Sequence, residues 1–202
     1  FSKTIIHAEL LYDGKRKSTD ATIVVENGKI VDVSKKKYKS GIIGIVTPAF
    51  IDPHSHIGME RQGEPKEESE VDDTLKTITP MQNPVDSIYF DDRAFTEAVD
   101  FGVLYSCVIP GSGNLIGGKA ITIRNFALNR NGAVVDDFGF KMALGYNPRA
   151  GYKSKPGRHN TRMGNASLLE KEFSKVLRKE KQAKIKKEKA LFHLHSELNG
   201  KK

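Results

Sequence analysis

Two histidines separated by one residue, His54 and His56, are the side chains whose type and spacing most directly suggest chemistry. In extended backbone, alternate side chains project to the same face, so the two imidazoles can converge on one point. Imidazole nitrogen is a frequent ligand of zinc and other divalent metals. Histidines at this spacing are also common as solvated turn residues, so the neighbouring sequence has to distinguish the two interpretations.

The sequence around the pair has the form of a strand followed by a turn. The apolar run Ile42–Val46 leads into it, and Pro53 is expected to end strand pairing because it has no N–H to donate. The segment Pro48–His56 resembles the Pro-Gly-Phe-Ile-Asp-x-His-x-His signature of the amidohydrolase superfamily, with Ala49 where glycine is usual. The resemblance implies that the pair binds metal at the end of the first strand of a (β/α)8 barrel.

Three further segments resemble the imidazolonepropionase-related branch of that superfamily. They are Pro110–Gly118, similar to Pro-Gly-Ser-x-Asn-x-Ile-Gly-Gly, then Ala143–Arg149, similar to Ala-Leu-Gly-Glu-Asn-Pro-Lys, and Thr161–Gly164. Tyr146 stands where that branch has glutamate, so the exact activity stays open. Taken alone, a glycine-rich turn after a strand could also cradle phosphate, but this one matches neither the P-loop nor the dinucleotide-binding pattern.

A lysine, Lys141, lies inside one of two apolar segments that are predicted to be strands, Ala120–Ile123 and Gly139–Gly145. An amine in such a strand is costly unless it is paired, neutralised or modified. The resemblance implies one solution, a carboxylated lysine that bridges two metal ions. A lysine that reaches past the strand end into solvent is the alternative, and the sequence leaves both open.

The resemblance also implies the rest of the site. It implies one or two divalent metal ions, with zinc as the first choice, and a small-molecule substrate with a C–N bond of cyclic amide or amidine type. Tyr146 and Asn147 are the expected substrate contacts. Arg149, Arg158 and Arg162 are candidate anchors for an anionic substrate group, although surface arginines are common. The aspartate that serves relatives as a proton shuttle is expected outside this chain, which leaves no catalytic residue assigned within it.

Residues 1–46 are predicted to form a small β-module. Asn27 and Gly28, between two β-branched runs, give a strong hairpin signal, and short strands are expected at residues 4–6 and 10–12. By resemblance, this module is part of the small β-sandwich that flanks the barrel in many amidohydrolases. Residues 47–202 are then the first half of the barrel, and the predicted fold class is α/β.

The strand that ends at the histidine pair, a helix and a further strand are predicted in β–α–β order. A long irregular loop over residues 59–90 is expected between the first strand and the helix. Asp91 and Asp92 are expected to cap a helix that Gly102 stops. Residues 103–109 directly follow as an apolar strand. This order is consistent with the parallel strands of a barrel.

From Thr161 onward, the spacing of apolar residues predicts helix, in two runs. His193 and His195 lie in the second run, where such side chains point in different directions, so they are predicted to be ordinary helix residues. The basic run Arg178–Lys189 supplies much of the net charge of +8. It could contact nucleic acid, but no aromatic residues interleave it, and a solvated helix face is favoured.

The length of 202 residues limits what the chain can build, although its hydrophobic content of 38% is enough for a core. A complete barrel takes about 250 residues. We therefore expect a C-terminal half as partner, from the same gene product or a separate chain, with a homo-oligomer as a further option. No apolar run reaches the roughly 20 residues of a membrane span, and the single cysteine, Cys107, suits a reducing cytoplasm.

The expected function is that of a metal-dependent amidohydrolase in which metal-activated water hydrolyses a C–N bond outside peptides. Two alternatives come from other classes of protein. One is a catalytically inactive amidohydrolase-like scaffold, which Tyr146 favours. The other, more distant, is a basic nucleic-acid-binding protein.

Overall fold

The structure is a computed structural model that describes residues 2–73, 75–150 and 161–199. Its first sheet contains four strands: β1 (Lys3–Tyr12), β2 (Lys17–Glu26), β3 (Lys29–Ser34) and β4 (Ile42–Val46). Their order in the sheet is β3-β2-β1-β4. β1 pairs antiparallel with β2 and parallel with β4, and β2 pairs antiparallel with β3.

The predicted hairpin at Asn27 and Gly28 is confirmed as the β2–β3 connection. Both residues have left-handed backbone, with φ of 53° and 75°, which a two-residue hairpin turn requires. The short strands expected at residues 4–6 and 10–12 are one continuous strand, because pairing with β2 extends from Lys3 to Tyr12. The assignment of residues 1–46 to a separate module stays a prediction.

The second sheet contains β5 (Phe50–Ser55), β6 (Val103–Val108), β7 (Ile116–Arg124) and β8 (Val134–Met142), in that order. β5 and β6 are parallel and are joined through the helix α1 (Arg93–Asp100), which confirms the predicted β–α–β order. The Asp92 carboxylate caps α1 by accepting a hydrogen bond from the Ala94 N–H at 3.0 Å. Gly102, with φ of 81°, follows the helix.

The direction of β7 differs from the parallel barrel order, because β7 pairs antiparallel with both β6 and β8. Only residues 109–115 separate β6 from β7, whereas a parallel connection needs a dozen residues or more. Two reversals restore the original direction, so β8 points the same way as β5 and β6. The carboxyl ends of these three strands therefore lie at the same edge of the sheet.

Four predicted strands differ from the structure in their bounds or their partners. Pro53 does not end β5, because β5 lies at the sheet edge and its register with β6 shifts between Asp52 and Ser55, so no N–H is needed there. The run Ile42–Val46 does not continue into β5 but pairs with β1 in the first sheet. The strands expected at residues 120–123 and 139–145 extend over β7 and β8, whose paired residues begin earlier.

The long connection between β5 and α1 is irregular, as predicted, with short 3-10 turns at Lys66–Glu68 and Pro84–Ser87. It is nevertheless packed into the core. Its buried side chains join others from α1, β6, β7 and α2 (Arg130–Ala133) in one apolar cluster: Met59, Val71, Val85, Ile88, Phe95, Val108, Ile121, Ile123 and Ala133. This burial holds the loop against the edge where the strands end.

The C-terminal region contains the short helix α3 (Asn147–Ala150) and the long helix α4 (Arg162–Asn199). The two helical runs predicted after Thr161 form this single continuous helix. The backbone of His193 and His195 is helical, as predicted, while the expected C-cap Gly200 lies outside the described residues. Among the helices of the described residues, none is long and apolar enough to cross a membrane.

Candidate metal centre

His54 and His56 lie at the carboxyl end of β5, on the edge that β5 shares with the ends of β6 and β8. Their ring centroids are 5.5 Å apart, and the ring planes make an angle of 80°. The two imidazoles are therefore neighbours in an edge-to-face arrangement and do not diverge into solvent. This is the placement that the spacing predicts for a strand end.

The ring of His56 is oriented by the backbone of the next strand. Its Nδ1 lies 2.7 Å from the carbonyl oxygen of Ile109, and because a carbonyl only accepts, Nδ1 carries the proton and donates. The N–H of Ile109 in turn donates to the carbonyl of Ser55 at 3.1 Å. In the neutral ring this leaves Nε2 as the nitrogen with a free lone pair.

His54 is more exposed, and its backbone N–H donates to the Asp52 carboxylate at 3.0 Å. Desolvation lowers the pKa of His54 below its ordinary value, the positive charges of Lys141 and His56 lower it further, and the charge of Asp52 opposes them. A depressed pKa favours the neutral imidazole, which is the form that binds metal.

Lys141 is half-buried near the carboxyl end of β8, opposite Gly118 of β7. Burial lowers the pKa of its amine, and the carboxylate of Asp72 acts in the opposite direction. Lys141 is the second cause, after desolvation, of the lowered pKa of His54. Its carboxylation stays a prediction.

The glycine-rich turn at residues 110–118 is occupied by contacts with the long loop. The N–H of Gly111 donates to the Val71 carbonyl and that of Gly113 to the Asp72 carboxylate, both at 2.8 Å. A Cβ at Gly111 would lie 2.5 Å from Cγ1 of Val71. Because these N–H groups already have partners within the protein, they do not form a cradle for phosphate.

Three of the residues expected to contact substrate, Tyr146, Asn147 and Arg149, have different surroundings in the structure. Asn147 donates from Nδ2 to Oγ of Ser112 in the glycine-rich turn at 2.6 Å. Arg149 folds back on its own helix start, with Nε 2.9 Å from the Gly145 carbonyl. Tyr146 is 69% exposed.

Two further predicted substrate anchors are arginines. Arg162 is exposed at the first residue of α4, and none of its contacts within the described residues reaches the histidine pair. Arg158 lies outside the described residues. Of the predicted substrate contacts, Asn147 is therefore the one that the structure ties to the glycine-rich turn beside the pair.

The donor set at this edge fits part of a divalent metal site. His56 is oriented by a carbonyl, the usual outer partner of a metal-binding histidine, and His54 favours its neutral form. Within the described residues, no group of three or more His, Cys, Asp and Glu side chains gathers in a metal-binding arrangement. The two histidines are thus an incomplete ligand set, to which Lys141 could add one ligand.

Two contributors to this site carry no signal in the sequence. The carbonyl of Ile109 and the carboxylate of Asp72 act through hydrogen bonds to residues 53 and 41 positions away. Asp72 stands among several acidic loop residues that have the same local pattern. Only the pairing of β5 with β6 and the packing of the loop show that these two residues, and not their neighbours in the sequence, contribute to the site.

The two sheets form a mixed α/β protein with a candidate metal centre, the histidine pair, at the end of β5. No protein-family model matches the chain. It is 26% identical over 168 residues to the amidohydrolase tasK of Hapsidospora irregularis, covering 77% of this chain and 16% of that protein. A crystal structure of an amidohydrolase from Thermotoga maritima MSB8 is 28% identical, with a TM-score of 0.75 over 90% of this chain and 49% of that chain.

These two likenesses support the amidohydrolase superfamily. A crystal structure of a Xaa-Pro dipeptidase with bound methionine in the active site also aligns with 55% of this chain, but with a TM-score of only 0.34. The chain spans about half of the solved amidohydrolase and a much smaller share of the curated one.

Proposed function

We propose that this chain carries part of the active site of a metal-dependent amidohydrolase that hydrolyses a C–N bond in a cyclic amide or amidine-like small molecule. The observation that carries the proposal is the neighbouring pair His54 and His56 at the strand ends. The similarity to two amidohydrolases supports the reaction type. The substrate class rests on the resemblance to the imidazolonepropionase-related branch.

In this proposal His54 and His56 would hold a divalent metal ion, zinc as first choice, through their imidazole nitrogens, and Lys141, if carboxylated, would add a further ligand. The ion would supply Lewis acidity, which lowers the pKa of water and polarises a carbonyl. The Ile109 carbonyl keeps Nε2 of His56 available as a ligand. Asn147, Arg149, Tyr146 and Arg162 are the proposed substrate contacts, with Asn147 the best placed beside the glycine-rich turn.

The remaining ligands and the proton-shuttle carboxylate come, in this proposal, from a C-terminal half of the barrel. The partial ligand set among the described residues supports it. So does the length of the solved amidohydrolase, of which this chain covers 49%. The C-terminal half supplies further strands next to the second sheet, in the same polypeptide or in a separate chain.

The proposal is tested by metal content. His54→Ala and His56→Ala are each expected to lower the zinc bound per assembled protein well below that of wild type, measured by elemental analysis after gel filtration. His7→Ala is the matched control, because His7 lies in β1 and its ring nitrogen contacts Oγ1 of Thr22 at 3.1 Å. Wild-type zinc content in both site variants, with a normal fold, contradicts the ligand assignment.

A second candidate is an amidohydrolase-like scaffold without catalysis. Two observations favour it: Tyr146, where the related branch has glutamate, is largely exposed, and the described residues supply only a partial ligand set. A hydrolysis screen of the zinc-loaded protein with cyclic amides separates the two candidates. Turnover that disappears in His56→Ala supports the enzyme, and zinc binding without turnover supports the scaffold.

A further inference from the structure

Two segments far apart in the sequence are fastened together beside the histidine pair. We call residues 71–73 and 75–82 of the long loop, together with residues 110–118 of the glycine-rich turn, the loop–turn clamp. Backbone N–H groups of Gly111 and Gly113 donate to Val71 and Asp72 at 2.8 Å. The buried side chain of Asn114 adds a hydrogen bond from Nδ2 to the Lys76 carbonyl, also at 2.8 Å. The turn therefore depends on the loop for its position.

The clamp begins directly after the carbonyl that orients His56. That carbonyl belongs to Ile109, the residue before the turn, and it accepts the hydrogen bond from Nδ1 at 2.7 Å. Hydrogen bonds at Gly111 and Gly113 fix the path of the chain just beyond Ile109. A change at Asp72 is thus expected to reach the ring of His56 through the turn.

We propose that Asp72 is a positioning residue of the metal centre: its carboxylate accepts from the Gly113 N–H and so holds the turn that follows the carbonyl orienting His56. This inference rests on the proposed function, because it concerns metal binding by the histidine pair. Loss of the group bonded directly to a metal-binding histidine typically weakens metal binding about 10–100-fold. Asp72 acts on that group through the turn, so we expect an effect at the lower end of this range.

The test measures the affinity of the purified full protein for Zn²⁺ by competition with a chromophoric chelator. Asp72→Ala removes the acceptor of the Gly113 hydrogen bond, and zinc binding is expected to weaken about 10-fold. Asp72→Asn keeps an oxygen that can accept from Gly113, and its zinc binding is expected to stay near that of wild type. Amide hydrogen exchange at residues 111–113 is expected to rise in Asp72→Ala and to stay unchanged in Asp72→Asn.

The control is Asp91→Ala, which removes an exposed carboxylate outside the clamp and is expected to bind zinc like wild type. Wild-type zinc affinity in a folded Asp72→Ala overturns the proposal, and so does an equal loss in Asp91→Ala. If Asp72→Ala does not fold, Asp72→Asn decides: weakened zinc binding there overturns the proposal, because that variant keeps the acceptor for Gly113. His56→Ala tests the proposed function separately from the role of Asp72. Unchanged zinc affinity in that variant refutes the proposed function.

Discussion

The carbonyl oxygen of Ile109 decides which nitrogen of His56 is available, because it can only accept and so fixes the proton on Nδ1. The sequence predicts the pairing of His54 with His56, since two residues in one strand share a face by local geometry. It does not predict the protonation pattern, because Ile109 directly follows a different strand, 53 positions later. The type and spacing of ligands are local properties, whereas their orientation depends on strand pairing.

At the same scale, the thiol of Cys107 is expected to be unreactive in the folded protein. The residue is 6% exposed in β6, and burial, followed by the charge of Asp52, raises the pKa of the thiol. A raised pKa means less thiolate at a given pH, by about tenfold for each pKa unit, and the thiolate is the reactive form. At pH 8, iodoacetamide should therefore modify native protein much more slowly than protein in urea. Equal rates, followed by mass spectrometry, would show that the strand opens readily.

Elements with local signals are predicted well, and elements set by distant contacts are not. Asp92 and Gly102 bound α1 as predicted, because capping and a left-handed stop depend only on neighbouring residues. The reversal of β7 follows from the short connection before it, which the barrel resemblance obscured. The clamp between Asp72 and Gly113 joins residues 41 positions apart and follows only from the folded loop.

The close approach of loop and turn predicts a glycine requirement at residue 111. In Gly111→Ala the new Cβ would lie 2.5 Å from Cγ1 of Val71 and 2.6 Å from Oδ2 of Asp72. One segment must move, and such overpacking costs about 1–3 kcal/mol of unfolding free energy. Gly145→Ala is the matched control, because a Cβ there meets nothing within 4 Å. Urea unfolding of both variants checks the prediction, and equal stabilities would mean that the segments separate at little cost.

Over the whole molecule, apolar side chains remain exposed along the sheet edges. β4 ends the first sheet and β5 ends the second, and Ile43, Ile45 and Ile51 are 68%, 67% and 65% exposed. An edge strand with exposed apolar side chains presents unpaired backbone groups and apolar surface with which another strand can pair and pack. This exposure is consistent with the proposed C-terminal half or with a second copy of the chain, since either would cover such edges.

The edge strand β4 allows the need for a covering partner to be tested directly. Ile43 and Ile45 project to one face because they are two residues apart, and a lysine on an edge strand opposes further pairing. In Ile45→Lys we expect the 202-residue chain to move from associated species toward its monomer mass of 22.4 kDa, in light scattering over a concentration series. Because Ile45 is exposed, the unfolding free energy of the monomer should change by no more than about 0.5 kcal/mol.

Leu128→Lys is the control, since Leu128 is 89% exposed outside any strand and its replacement should leave association unchanged. A wild-type chain that stays monomeric at every concentration would show that these edges need no cover.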